Sequence, residues 1–416
     1  VNNQSIQQKL TNRFFRYLAI TSQSDASKSI VPSTSGQWDM AKLLAKELTE
    51  LGCQNVHIDE YANVTAKLAG NLKDTHTIGF IAHMDTVDVG LSPDIKPQIL
   101  TFKGEDLCLN QEHDIWLRVN ERPEIKKYLN EDIIFSDGTS VLGADNKSAV
   151  TVVMQMVEYF FEHPNTPRGD IYISFVPDEE IGLKGAKLLD LTRFPVDFAY
   201  TIDCCETGEL IYETFNAGTA HLHIKGVTAH PMSAKNVLVN PLRIVQDLMG
   251  YFDPLDTPEH TEKREGYFWF NHLIANQNEA SVQVSIRDFD LKNYEKRKEI
   301  MFERVERVKQ AYPTAEIKCE IIDMYSNIAN SLADGGQSTS IDLLKAVFNE
   351  LNIEPKIIPM RGGTDGSALS ARGIMTPNYF TGAHNFHSAF EFLPLSAFEK
   401  SYQVTLGLCL AAAKKS

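Results

Sequence analysis

The apolar run 78-IGFIA-82 ends in His83, and Asp85 follows two residues later. Four other stretches set imidazole or carboxylate groups in the same kind of place. IYISFVP, 171–177, is followed by Asp178, Glu179 and Glu180; FAYTI, 198–202, runs into Asp203; VLGADNK puts Asp145 at a turn; and HNFHSAFEF, 384–392, offers His384 and His387. Brought together without matching Lys or Arg, these groups repel one another unless cations sit among them. A mixed nitrogen and oxygen ligand set suits zinc, with cobalt or manganese as alternatives. Singly each motif is weak, because a histidine and an aspartate past a strand are a capping feature as often as a metal site, and a Glu-Glu pair is usually a solvated loop. Their joint occurrence is what points to a metal centre. For the last ligand, the spacing from His387 to Glu391 favours His387 over His384.

Such groups meet only if the elements before them deliver them to one place. Up to about residue 213 helical stretches alternate with short apolar strands: a helix near 37–51, strand 78–83, a helix near 145–162, and strands 170–176 and 198–203. That alternation predicts an α/β domain with a largely parallel sheet and helices on both faces. In such a sheet, side chains just past the carboxyl ends of different strands converge on one crevice. The helix near 145–162 is apolar almost all round and is expected to lie buried against the sheet. Residues 91–136, rich in Pro, Asp and Glu with weak periodicity, read as an irregular excursion. From 214 to 326 the order β-α-β-β-α-β appears, with strands at 219–226, 267–275, 280–290 and 315–322 and helices at 240–251 and 293–311. This is the ferredoxin-like plan. The chain is thus expected in three segments: 1–213 as the first part of a catalytic domain, 214–326 as a compact inserted domain that suggests a lid and a dimerisation surface, and 327–416 as the second part.

The whole chain sets limits on partners. Forty basic against fifty-five acidic residues leave a net charge of −15, which repels a phosphate backbone and argues against nucleic acid. No run reaches the roughly 18–20 apolar residues of a membrane span, and the start does not read as a signal peptide; Ile6, Leu10, Phe14 and Leu18 instead share a helix face. The six cysteines have no framework spacing, so a reducing cytoplasm is the expected compartment.

The stretches AHMDT, GADNK, PDEEIG, TIDCCETGEL, GVTAHP, RGGTDG and HSAFE resemble, in order and over nearly the whole chain, the motif series of the dinuclear zinc exopeptidases, a family that also includes carboxypeptidase G and aminoacylase. FNAGTAHLHIKG, SIRDFD and RGGTDG look most like its tripeptide aminopeptidases. The resemblance implies two divalent ions bridged by Asp145, one also held by His83 and Asp203, the other by Glu180 and His387. It makes Asp85 the carboxylate that orients His83, and Glu179 the general base. His230 becomes a lid residue that reaches a substrate carbonyl, in relatives often across a dimer interface, with Asn240 beside it. Cys204 and Cys205 depart from the small residues of the relatives, as does Asn146 from a common acidic residue.

Arg287 and Arg361 are candidates for a substrate carboxylate, because a guanidinium offers a planar fork of donors. Either is also open to a structural ion pair, Arg287 with Asp288 or Asp290. The expected activity is release of the N-terminal residue from short peptides, tripeptides first. A carboxypeptidase, dipeptidase or deacylase on the same frame is the nearest alternative, and a metal-binding regulatory protein the non-enzymatic one.

Overall fold

The computed structural model describes residues 5–332 and 338–414. The chain divides into two units. The first comprises Val1–Tyr212, Ser331–Ile358 and Thr364–Ser416, and the second Glu213–Asn330 with Pro359–Gly363.

The first unit is built on an eight-stranded sheet. At its centre Ile78–His83 runs parallel to Ile171–Val176 on one side and to Phe198–Cys204 on the other, and Asn378–Phe380 continues the parallel set beside Phe198–Cys204. Every residue of Ile78–His83 is buried, as its unbroken apolar run requires of a strand covered on both faces. Antiparallel pairs appear only towards the flanks: Val64–Leu68 against Ile171–Val176, Gln54–Ile58 outside it, and Glu209–Ile211 against Asn378–Phe380. Helix Ala144–Glu162 is buried along most of its length and packs on the two central strands and on helices Ile6–Leu18 and Leu395–Ala412. Helix Ile6–Leu18 begins at Ser5 in a capping box with Gln8 and buries Leu10, Phe14 and Leu18, the face marked by its periodicity.

Residues 91–136 are not an irregular excursion. Asp132–Ser136 is the middle strand of a three-stranded antiparallel sheet between Pro97–Thr101 and Phe392–Pro394, and Leu107–Asn110 pairs with Ile115–Leu117. Phe102, Leu109, Leu117, Ile125, Ile133, Phe135 and Phe392 form a core of their own. The strands are too short for a period to show, and one of the three comes from far along the chain.

The second unit has the β-α-β-β-α-β order: Asn216–Lys225, Pro241–Met249, Tyr267–Ala275, Glu279–Asp288, Leu291–Ala311 and Glu316–Tyr325. Its sheet is antiparallel, with Glu279–Asp288 and Asn216–Lys225 inside and Tyr267–Ala275 and Glu316–Tyr325 at the edges. Ile244, Leu248, Met301 and Val305 from the helices close a core with Leu222, Ile224, Val282 and Val284 from the strands. Its limits differ by a few residues from 214–326, and Pro359–Gly363 joins it because the Phe215 N–H donates to the Gly362 carbonyl at 3.3 Å and the Met360 N–H to Glu213 at 2.9 Å.

Candidate metal centre

Six side chains from five separate stretches of the first unit meet past the carboxyl ends of the central strands. His83 ends Ile78–His83; Asp203 lies near the end of Phe198–Cys204; Glu179 and Glu180 follow Ile171–Val176. Asp145 opens helix Ala144–Glu162, and His387 comes from the loop before Phe392–Pro394.

The distances define three overlapping groups among the described residues. His83 Nε2 lies 3.0 Å from Asp145 Oδ1 and 3.8 Å from Asp203 Oδ1. The other Asp145 oxygen, Oδ2, is 3.0 Å from His387 Nε2, which in turn is 3.1 Å from Glu180 Oε1. Ligand atoms of His83, Asp145 and Asp203, of Asp145, Glu180 and His387, and of His83, Glu179 and Glu180 each fall within 4.8 Å of one another; Asp145 is common to the first two groups. His83 Nε2 and Asp145 Oδ1 are buried and, despite their 3.0 Å approach, have no partner in good hydrogen-bond geometry among the described residues. Two close polar atoms that do not bond are aimed at a shared space, and a cation there satisfies both. The donor set of two imidazoles and three carboxylates fits such an ion.

The electrostatics agree. Burial pushes Glu180 up to about 8, helped by Asp145, and Asp203 up to about 6 for the same two reasons. Glu179 is raised well above the carboxylate range, first by burial and then by Asp203, Glu180 and Asp365, although His83 opposes this. Hydrogen bonds to Asp145 and Glu180 carry His387 up to about 11, against its burial. For His83 burial favours the neutral ring, but Glu179, Asp145, Asp203 and Asp85 outweigh it and raise the ring well above its ordinary value. Protons thus occupy places that cations would take.

Asp85 does more than face His83. The ring's Nδ1 lies 3.1 Å from the Asp85 carbonyl and 3.4 Å from its Oδ1. The same carboxylate accepts the Glu179 N–H at Oδ1, 3.0 Å, and the Glu180 N–H at Oδ2, 3.2 Å. It therefore orients the imidazole and the backbone of both glutamates together. Glu179 Oε2 stands 3.9 Å from His83 Nε2. His384 lies apart from this group: its Nε2 meets the Tyr128 hydroxyl at 2.7 Å, its ring stacks on Phe392, and burial lowers it to about 4.

Other residues around the centre had no role assigned to them from the sequence. Glu391 accepts the N–H groups of Gly143 at 2.8 Å and Asp145 at 3.0 Å, fixing the turn that presents Asp145. Gly143 sits in that turn at φ +75, where a Cβ would come within 2.9 Å of Ile95. The Asp145–Asn146 peptide is cis. Asn378 Oδ1 accepts the Asp203 N–H at 2.7 Å. The fully buried Lys147 donates to the carbonyls of Tyr17 and Ile20, and burial lowers it to about 7. Glu391 enters the sequence reading through its spacing from His387, and Gly143, Asn146 and Lys147 through the GADNK stretch; Asn378 does not enter it.

The remaining expected residues lie in the second unit. His230 precedes a short 3-10 turn and its Nδ1 accepts the Met232 N–H at 3.2 Å; Asn240 caps helix Pro241–Met249 by accepting the Leu242 N–H at 3.1 Å. Arg287 donates to the carbonyls of Gly218 at 2.7 Å and Ile286 at 2.9 Å and lies over the Tyr325 ring. Asp288 pairs with Arg297 rather than Arg287. Arg361 donates to the carbonyls of Lys263 and Glu265 and to the Thr261 hydroxyl, over the rings of Phe215 and Tyr267.

The sequence profile of the peptidase family M20/M25/M40 matches residues 143–411. The chain belongs to the peptidase family M20/M25/M40. As a member of the M20/M25/M40 peptidases it is an enzyme, a metallopeptidase. It is 60% identical over 410 residues to a peptidase T-like protein of Yersinia pestis, covering 99% of both chains. It is 41% identical over 397 residues to peptidase T of Fusobacterium nucleatum, covering 95% of each. Among solved structures, aminopeptidase PepT from Bacillus cereus shares the fold at a TM-score of 0.76 and 22% identity, over 98% of this chain and 99% of that one.

Proposed function

We propose that this M20/M25/M40 peptidase removes the N-terminal residue from tripeptides at a two-cation centre, zinc being the first choice and cobalt or manganese the alternatives. The observation that carries the reading is the pair of ligand groups sharing Asp145; Glu179, which groups only with His83 and Glu180, is then left beside both as the base. In it, His83, Asp145 and Asp203 hold one ion and Asp145, Glu180 and His387 the other. Bound there, two divalent ions supply an acidified water and charge stabilisation for a developing oxyanion.

The chain's own groups do the rest. Glu179, seated by Asp85 through its N–H, accepts the proton of the attacking water at its carboxylate. It then returns that proton to the amine nitrogen of the breaking bond, so that the amine leaves neutral. The near-complete burial of Glu179 and His83 excludes bulk water from this exchange. His230 and Asn240 are assigned to substrate contact, and Arg287 and Arg361 to the substrate's terminal carboxylate, for which they would trade their present carbonyl partners.

A homodimer through the second unit belongs to the same reading, supported by the exposed Trp269, Leu273 and Ile274 on edge strand Tyr267–Ala275. So does a cytoplasmic site of action, supported by cysteines that are all free thiols. Among the described residues no helix is long and apolar enough to cross a membrane. Incubation with Leu-Gly-Ala, Ala-Ala and an N-acyl amino acid, with identification of the first product, tests the assignment: free Leu and Gly-Ala from the tripeptide alone are expected, whereas free Ala and Leu-Gly would make the enzyme a carboxypeptidase. Preferential cleavage of either of the other two would move the enzyme to a dipeptidase or deacylase.

A further inference from the structure

The turn that presents Glu179 and Glu180 is gripped on two sides. Asp85 takes their N–H groups from one. On the other, Asp178, the residue before Glu179, reaches into the start of helix Ser35–Glu50. Its Oδ2 accepts the Ser33 N–H at 2.7 Å, and its Oδ1 accepts the Ser33 hydroxyl and the Gln37 side-chain amide, each at 2.6 Å. The Asp178 N–H donates back to the Gln37 side-chain oxygen Oε1 at 2.9 Å. Ser33, Gln37 and Asp178 are 5%, 0% and 0% exposed.

This arrangement asks for a purpose. A carboxylate is costly to bury, and among the described residues no cation pairs with it; three neutral donors compensate instead. A neutral side chain would fill a merely structural position at lower cost. Asp178 also adopts φ +55, a left-handed conformation that side chains other than glycine take only when their surroundings over-determine it. The Ser33 and Gln37 bonds supply that determination. Immediately after it, the Glu179 carbonyl accepts the N–H groups of Gly182 and Leu183, which closes the turn.

We infer that Ser33, Gln37 and Asp178 form a positioning clamp that sets the left-handed turn and thereby aims Glu179 and Glu180 into the centre as a pair. Residues over 140 positions apart in sequence are joined by it, which is why no local pattern announced them. The inference rests on the roles given above to Glu179 and Glu180.

The test uses the cation-loaded enzyme with Asp178→Asn, Ser33→Ala and Ser33→Thr, measuring kcat and KM on Ala-Ala-Ala, Zn2+ affinity by chelator competition, and melting temperature. Asp178→Asn puts an amide donor against the donors of Ser33 and Gln37. It is expected to lower kcat or Zn2+ affinity by roughly 10–100-fold, the usual effect of losing a support behind a metal site, with KM little changed. Ser33→Ala is expected to act in the same direction more weakly, and Ser33→Thr, which keeps hydroxyl and N–H, to restore the wild-type values. The clamp is overturned if folded Asp178→Asn and Ser33→Ala keep wild-type kcat and Zn2+ affinity, or if their only change is a lower melting temperature. Should the wild type cleave no tripeptide, the proposed function fails, while the Zn2+ competition still reads the clamp through Glu180.

Discussion

Glu179 and Glu180 are neighbours in sequence and differ in what surrounds them. Glu180 touches His387 and shares a ligand group with Asp145, whereas Glu179 is buried beside His83 and Asp203 at longer range. Under the proposed function that difference makes Glu180 a ligand and Glu179 the base. Glu179→Ala is expected to lower kcat by about 10²-fold or more while both cations stay bound, read by turnover alongside metal content. His387→Ala, which removes one side chain from a shared group, is expected instead to lower cation affinity, and excess metal should recover part of the activity. Arg361 bears on specificity: if it takes the terminal carboxylate, Arg361→Gln should raise KM for Ala-Ala-Ala and leave that for the tripeptide C-terminal amide nearly unchanged. Equal increases for both would return Arg361 to its bonds with Lys263, Glu265 and Thr261.

The elements explain which parts of the site could be read in advance. Ile78–His83, Ile171–Val176 and Phe198–Cys204 are apolar strands whose last residues run into acid or imidazole, so burial pattern and chemistry coincide in one short segment. His83, Glu179, Glu180 and Asp203 were legible for that reason. Glu391, Asn378 and Lys147 were not, because each acts on a backbone group distant in sequence, and a hydrogen bond of that kind leaves no periodicity behind. The sheet of 97–101, 132–136 and 392–394 escaped on the same ground: its strands are short and its pairing is long-range. Gly143 illustrates the demand on a connecting turn. Gly143→Ala forces a Cβ onto Ile95 and a side chain into a left-handed backbone, so a loss of about 1–3 kcal/mol in unfolding free energy is expected. Chemical denaturation would measure it.

For the whole molecule, the cluster of acids couples folding to pH and to cations. Without metal, Glu180, Glu391 and Asp365 are each pushed up to about 8, burial being the main cause in all three. His387 rises to about 11 through its bonds to Asp145 and Glu180. All these groups hold protons more firmly folded than unfolded. Their contribution to stability is therefore complete below the ordinary carboxyl range for the acids and below about 6.5 for the histidine, and it is lost as pH climbs through about 8 and about 11 respectively. Cations favour the deprotonated forms and stabilise whatever they bind, so the rise in melting temperature on adding Zn2+ should be larger near pH 8 than near pH 6. An equal rise at both would mean that the ion binds elsewhere.

Under the proposed function, peptide cleavage depends on cations held by these residues. Hydrolysis of Ala-Ala-Ala should therefore stop when the enzyme is stripped with a chelator and return on adding Zn2+ or Co2+, with free Ala and Ala-Ala as the products. Undiminished hydrolysis by metal-free enzyme, or no hydrolysis after loading, would contradict it.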